Sequence, residues 1–459
     1  MLSRSIGQWV SKLGQKPVTA VLHTSCVCYG ETALQNLVQL PLQLLLPDNV
    51  YWELTLLCRS RIFGTRAEFL LQHCRRADWD LEQLYSSCRD RRRGESLFDG
   101  GTVLFLFGDL NKQREFLSQI PPMENWYFVC NRQWSLKYPG VVCSLKDPEK
   151  YVRDLIPVFP LEPGIPGGGL KTQYMVGLRG DRAFLRTSEF TDIRKSGNYA
   201  DLYTCSSYPE LCAKIYHSPL RPGNGVKKLE LLQRLDQKLH FRHMAMPQQL
   251  LENAGAQVVG FFMKRCPGRP VRDFLQVGWE GYDLPVILGN LLLRLLELHC
   301  LHGLMNDLSA NNVLVDRDNQ VYLIDCDSFQ YLGYPGGGIT ELYQHPEIDP
   351  AHCHDVLREP RHEYFAFAVL LFQCLFYCDP VCQVQGWEDD RELNWKNAVF
   401  ALEAEPSPER KVSAEVDALW RAREARVRKL FSDAFHFRAD VSFGAWIREL
   451  DVLDQRKER

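Results

Sequence analysis

The chain has 459 residues, of which 45% are hydrophobic and 24% charged, with a formal net charge of −3 and a pI near 6.5. That length makes two or three domains with sizeable cores, and the composition is ordinary for a soluble globular protein. The near-neutral balance argues against a general nucleic-acid or acidic-membrane binder, so neither partner is expected.

The first residues, Met1 to Leu13, lack the long apolar core of a secretory signal. No apolar run reaches bilayer-crossing length; the longest, near Leu37–Leu46 and Ile287–Leu298, are short or interrupted by polar residues. Among 16 cysteines, the close pairs Cys26/Cys28 and Cys378/Cys382 are not answered by a second Cys or His pair at zinc-finger spacing. Free thiols in a reducing cytoplasm are the expectation.

Residues 1–156 alternate apolar strand-like runs with helix-like stretches. The runs are Val18–Leu22, Trp52–Cys58, Val103–Phe107 and Trp126–Cys130. Such alternation predicts a small α/β domain. Two of its segments, Val18-Thr-Ala-Val-Leu-His-Thr-Ser25 and Thr102-Val-Leu-Phe-Leu-Phe-Gly-Asp109, resemble strands of von Willebrand A domains, which bind a metal at those strand ends. His23 stands where that family has its first aspartate and Val27 replaces its second serine, so the resemblance implies a module that has lost its metal and docks a protein partner. Read alone, His23 and Asp109 are loop or cap groups. A cluster rich in Pro and Gly, Pro157 to Gly169, predicts a linker over residues 157–170. The basic run Arg421–Lys429 is interleaved with Glu and apolar residues like a solvated helix face.

Further along, Leu211-Cys-Ala-Lys-Ile-Tyr216 puts one lysine, Lys214, inside an apolar strand-like run. Burying an unpaired ammonium is costly, so Lys214 requires an anionic partner, a phosphate or a carboxylate. Asn312 follows Asp307 by five residues and Asp325 follows Asn312 by thirteen. Between them, Val313–Val315 and Val321–Ile324 flank the polar stretch Asp316–Gln320. Two strands joined by a turn fit that pattern, and the hairpin would bring Asn312 beside Asp325. An amide and a carboxylate converging in this way supply oxygen ligands for magnesium, while Asp307 stays free to take a hydroxyl proton.

Together these segments resemble the protein kinase family, in its divergent bacterial Hanks-type branch, over residues 170 to 459. The order is that family's: glycine-loop region, strand lysine, catalytic loop, metal aspartate, then His345-Pro-Glu347 in place of Ala-Pro-Glu. The resemblance implies an α+β bilobal domain over residues 171–459, with an N lobe to about residue 268 and a C lobe beyond it. It implies ATP and Mg2+ as cofactors and a protein substrate, Ser/Thr in preference to Tyr. Carried over, Lys214 contacts the α and β phosphates, Asp307 is the base, and Asn312 and Asp325 hold magnesium. Gly197, Asn198, Tyr199, Ala200 and Met263 would line the nucleotide, and Glu230, on a helix, would pair with Lys214. Thr340 sits at the substrate-loop threonine, and Arg438 is the expected structural partner of Glu347.

Departures from the pattern bear on activity. Met305-Asn306 replaces His-Arg before the base, which removes the arginine that answers a phosphorylated activation loop. Ser309 stands where a lysine faces the γ-phosphate, Asp325-Cys-Asp327 replaces Asp-Phe-Gly, and the loop Ser196–Tyr203 holds one glycine. The glycine-rich stretch Leu332–Gly338 is too irregular to dictate a pocket. Three functions follow in order: a protein kinase, a pseudokinase that binds nucleotide as a regulatory or scaffold module, and an AMP transferase.

Overall fold

Two sheets organise the chain in the computed structural model, which describes residues 2–13, 17–88, 97–130, 141–146, 148, 158–164, 175–180, 184–194, 199–338, 340–352, 354–380, 402–403, 412–450 and 452–453. The first sheet holds β1 (Val18–Leu22), β2 (Leu42–Leu46), β3 (Arg75–Arg76), β4 (Thr102–Leu106), β5 (Trp126–Cys130) and β6 (Val141–Ser144), in the order β3-β2-β1-β4-β5-β6. Its pairs are parallel except β5–β6. Helices α1 (Leu2–Lys12), α2 (Glu31–Val38), α3 (Asp48–Leu57), α4 (Gly64–His73), α5 (Leu81–Cys88) and α6 (Leu110–Gln119) complete an α/β domain. Central β4 is nearly all buried and apolar, as parallel strands covered on both faces must be.

One expected strand is a helix. Trp52–Leu57 lies within α3, because Val50, Leu54 and Leu57 recur at helical spacing and are all fully buried, while Asp48 complements the positive end of the helix dipole. Trp52, Leu54 and Leu56 also alternate as a strand would, so the short run fits both periods. The basic run near the C terminus is likewise split between two helices, with Arg421 and Lys429 paired to Asp417 and Asp433.

The chain crosses from one side of β1 to the other between β1 and β4, where open α/β sheets usually bind ligands. Here His23 Nδ1 accepts from Ser25 N at 3.1 Å, and Asp109 accepts from Asn111 N and Lys112 N at 3.1 and 2.8 Å to cap α6. Both groups are capping residues in the structure, and both are buried. The space left beside them, lined by Glu53, Lys112 and Tyr364 among others, is about 10 Å3, room for one water.

The second sheet is antiparallel, in the order β8-β7-β12-β13-β11-β10-β9. It comprises β7 (Met175–Leu178), β8 (Phe184–Arg186), β9 (Phe190–Arg194), β10 (Ala200–Cys205), β11 (Tyr208–Leu220), β12 (Pro247–Glu252) and β13 (Val258–Lys264), with α7 (Asn224–Leu239) packed on β12. A mainly helical lobe follows, built from α8 (Val271–Val277), α9 (Leu284–Cys300), α10 (Pro360–Phe376), α11 (Ala414–Ala422), α12 (Ala425–Phe435) and α13 (Phe443–Glu449). Short strands β14 (Arg269–Pro270), β15 (Gly303–Leu304), β16 (Val313–Val315), β17 (Val321–Leu323) and β18 (Gln330–Tyr331) form a three-stranded sheet, β14-β16-β17, and a pair, β15-β18. The described residues from 175 onward thus form an antiparallel sheet followed by a mainly helical part. Among the described residues, no helix is long and apolar enough to cross a membrane.

Described residues of the Pro/Gly stretch are docked on this second part. Phe159 N donates to Gly333 O at 2.8 Å and its ring stacks on Tyr334, while the Glu162 carboxylate accepts from Asn224 N and Gly225 N at the head of α7. A single apolar core also runs through both parts. Polar links cross the same boundary: Arg448 Nη1 to Asp48 Oδ2 at 2.7 Å, Ser60 Oγ to Glu297 Oε1 at 2.6 Å, and Gly444 N to Glu53 Oε1 at 3.2 Å. One more, through Asn111, reaches the segment that carries Asp307 by way of bonds within the second part. Glu363 of α10 accepts Met305 N at 3.0 Å and pairs with His299 Nε2 at 2.6 Å. Arg358 Nη1 donates to Asn306 O at 2.7 Å, and Gln330 joins Arg358 O to Asn111 Oδ1 of α6.

Two outcomes follow from this junction. A Cβ on Gly444 would overlap the backbone of Asn49, so Gly444→Ala should cost about 1–3 kcal/mol and lower the melting temperature. Because one core serves both parts, wild type should melt in one transition; two separate transitions, or an unchanged variant, would contradict the packing. Burial lowers the His299 pKa, but the charge and hydrogen bond of Glu363 reverse this and hold it above the ordinary 6.5. A raised folded pKa means that the pair's contribution is full below 6.5 and declines as pH rises through the folded value. Denaturant melts from about pH 6 to 9 should show that decline in wild type and a flatter profile in His299→Gln.

Candidate active site

Alternation along β11 decides where Lys214 points. Ala213 and Ile215 belong to the core above the sheet, whereas Cys212 and Tyr216 join the core shared with the helical lobe. Lys214 therefore faces that lobe. Its ammonium bonds to Asp325 and, at 2.7 Å, to Asp327. The anionic partner that its burial demands is thus a pair of carboxylates, and their charges, set against burial, raise the lysine's pKa.

The hairpin forms as expected. β16 and β17 pair antiparallel from Val313↔Leu323 to Val315↔Val321, and Ile324 N donates to Asn312 O at 3.0 Å just outside the ladder. Asp316 Oδ1 accepts from Asp318 N and Gln320 N to close the turn. This brings Asn312 beside Asp325, whose φ of 63° puts it in the left-handed region, at a cost of about 1 kcal/mol for a non-glycine residue. Asn312 Nδ2 donates to Asp307 O and Oδ2 at 3.0 and 2.9 Å. That fixes the amide and leaves Oδ1 as its acceptor. Asp307 Oδ1 is buried without a hydrogen-bond partner among the described residues.

A third of the Asp325 side chain is exposed, against 12% for Asp327. Burial and the neighbouring charge of Asp327 push Asp325 up, although Lys214 opposes them. Burial pushes Asp327 up too, but Lys214 and the hydroxyl of Tyr216, 2.9 Å away, bring it below its ordinary value. Asn312 Oδ1 and the Asp325 carboxylate are oxygen donors of the kind that suit a hard cation such as magnesium.

Other expected site residues fall elsewhere. Glu230 does not pair with Lys214; it bonds to Arg179 Nη2 at 2.9 Å, on the outer flank of α7. The inward flank carries Lys228, which is buried and donates to Phe329 O and Pro335 O, both at 3.0 Å. Burial lowers the Lys228 pKa to about 8. Gly197 and Asn198 lie outside the described residues. Tyr199 is exposed just before β10, and Ala200, the first residue of that strand, is buried. Met263 is buried near the end of β13, opposite Cys212. Ser309 is fully buried, with its hydroxyl unpartnered among the described residues, so it offers nothing to a γ-phosphate.

The Pro-Gly loop packs on the segment before Asp307: a Cβ at Gly336 would collide with the Asn306 amide. Thr340 precedes a short 3-10 turn over Glu341–Tyr343, and Tyr343 Oη accepts from Ala310 N at 3.1 Å. Glu347 is held by Arg361 at 2.8 Å and by His362 at 3.4 Å, not by Arg438, which donates to Ser432 Oγ. His345, Glu347 and His362 bring ligating atoms within 4.8 Å of one another. Both rings, however, accept backbone N–H at Nδ1, from Glu347 and Glu359 respectively, which leaves the ring protons on Nε2. The cluster is a hydrogen-bonded clamp.

Asp327, Tyr216 and Lys228 are the site residues that sequence reasoning passed over. The repeated Asp in Asp325-Cys-Asp327 was the available sign, since Cys326 is buried in the core and the two carboxylates flank it.

Curated proteins similar to this chain include protein kinases. The protein kinase YegI of Escherichia coli strain K12 is 25% identical over 214 residues, 42% of this chain and 33% of its own length. Its counterpart in E. coli O157:H7 is 26% identical over 295 residues, 58% of this chain and 45% of its own. This chain thus spans less than half the length of the curated relatives it matches. No family model matches. Among solved structures, the ROP18 kinase domain in complex with AMP-PNP and sucrose aligns with TM-score 0.38 and 13% identity over 63% of this chain and 83% of that one, a likeness too low to carry an argument. The chain is a divergent relative of a protein kinase.

Proposed function

We propose that this chain is an ATP- and magnesium-dependent protein kinase that transfers the γ-phosphate to a protein hydroxyl, serine or threonine in preference to tyrosine. The observation that carries the reading is the meeting of Lys214, Asp307, Asn312 and Asp325 between the two lobes. Kinship with a protein kinase supports it. A reducing compartment, the cytoplasm, is part of this reading, with the cysteines as thiols.

In this mechanism Lys214 turns its ammonium to the α and β phosphates and holds the nucleotide in line. Asn312 and Asp325 would hold magnesium, which when bound neutralises charge on the phosphates. Asp307 accepts the proton of the substrate hydroxyl as that oxygen attacks the γ-phosphorus. The bond from the γ-phosphorus to the β–γ bridging oxygen then breaks and ADP departs. Asn312 keeps the Asp307 carboxylate aligned by donating to Oδ2, which leaves Oδ1 as the free acceptor.

A pseudokinase is the second reading, favoured by Ser309, which is buried where a lysine would face the γ-phosphate. The two readings part in one experiment. With γ-labelled ATP, wild type should label a protein acceptor, and Asp307→Ala should lose about 100-fold or more of that rate while still binding nucleotide. Asp325→Ala should lose transfer and magnesium-dependent binding together. Magnesium-dependent binding without any Asp307-dependent transfer would leave the pseudokinase reading standing.

A further inference from the structure

We propose that Asp327, not a helix glutamate, is the positioning residue for Lys214, and that it frees Asp325 to take the metal. The inference rests on the kinase reading above and concerns which carboxylate holds the lysine when the nucleotide arrives. Three placements carry it. Lys214 Nζ lies 2.7 Å from Asp327 Oδ1, and Tyr216, two residues along the same face of β11, donates to Asp327 Oδ2 at 2.9 Å. The carboxylate is thereby held at both oxygens, by one strand, in a nearly closed environment. Helix α7 presents a cation to this space: Lys228 reaches inward to Phe329 O and Pro335 O, while Glu230 is committed to Arg179 on the opposite flank.

No carboxylate of α7 is therefore in place to balance Lys214, and the counter-charge comes from the segment that also carries the metal ligand. Asp325 and Asp327 divide the work by exposure. Asp325 is a third exposed, whereas the more enclosed Asp327 stays with Lys214 and Tyr216. When Asp325 turns to a cation, Lys214 keeps a partner and a direction. Without Asp327 the lysine's only carboxylate would be Asp325, and lysine and magnesium would compete for it. A further consequence is that Lys214 stays aligned whether or not α7 shifts, since none of its partners lies on that helix.

The test is binding of a fluorescent ATP analogue to the full chain, titrated with magnesium. Asp327→Asn should raise the magnesium concentration for half-maximal binding about tenfold or more, the usual scale for losing a carboxylate that orients a metal site. Glu230→Gln, which cuts only the ion pair to Arg179, should leave that midpoint unchanged. Tyr216→Phe keeps the ring and removes the hydroxyl donor, so a smaller rise in the same direction keeps the proposal testable if Asp327→Asn folds poorly. A shift in Glu230→Gln with none in the Asp327 and Tyr216 variants would overturn the role of Asp327 while leaving the kinase reading intact. Wild type that binds no nucleotide at any magnesium concentration would overturn both.

Discussion

An ammonium enclosed between two lobes is the constraint on which this site depends. Lys214 sits on a strand whose neighbouring residues are apolar, so its charge must be answered close by. The structure answers it with two carboxylates from a single turn, Asp325 and Asp327, and a tyrosine hydroxyl fixes the second of them. That arrangement ties the sheet of one lobe to the hairpin of the other. The same tie links Lys214 to the turn that follows the hairpin from Asn312, so the counter-ion of a buried charge also sets the geometry of the proposed site.

The first domain is built into this arrangement. Its α6 cap region meets His302, 3.6 Å from Asp109, and its Asn111 bonds to Gln330, which in turn holds Arg358 against the carbonyl that precedes Asp307. Glu363 adds a second anchor on the same segment through Met305 N. Positive φ at His302, Asn306 and Asp325 shows a backbone that needs such support, since each left-handed residue costs about 1 kcal/mol. The end of the first sheet where ligands commonly bind is instead spent on contact with the helical lobe.

Much of the site was legible because it is local. The spacing from Asp307 to Asn312 to Asp325, read with the apolar runs between, is enough to build the hairpin and to bring the two oxygen donors together. Lys214 was legible because a charge in an apolar strand needs a partner. Which partner was not: Lys228 and Glu230 flank the same buried stripe of Val226, Leu229 and Leu232, and only the position of the other lobe decides which flank faces in. Trp52–Leu57 failed for a different reason, as a short apolar run satisfies two periods until its neighbours pack. Arg438 was assigned to Glu347 across a long stretch of sequence, but Arg361 and His362, at the start of α10, lie closer.

The most direct test of the central claim is a crystal structure of the chain with magnesium and a non-hydrolysable ATP analogue. The account predicts the phosphates on Lys214 Nζ, the metal on Asn312 Oδ1 and Asp325, and Asp327 still within hydrogen-bond distance of Lys214 and Tyr216. A complex in which Glu230 has left Arg179 to pair with Lys214, or in which the metal sits away from Asn312 and Asp325, would contradict it.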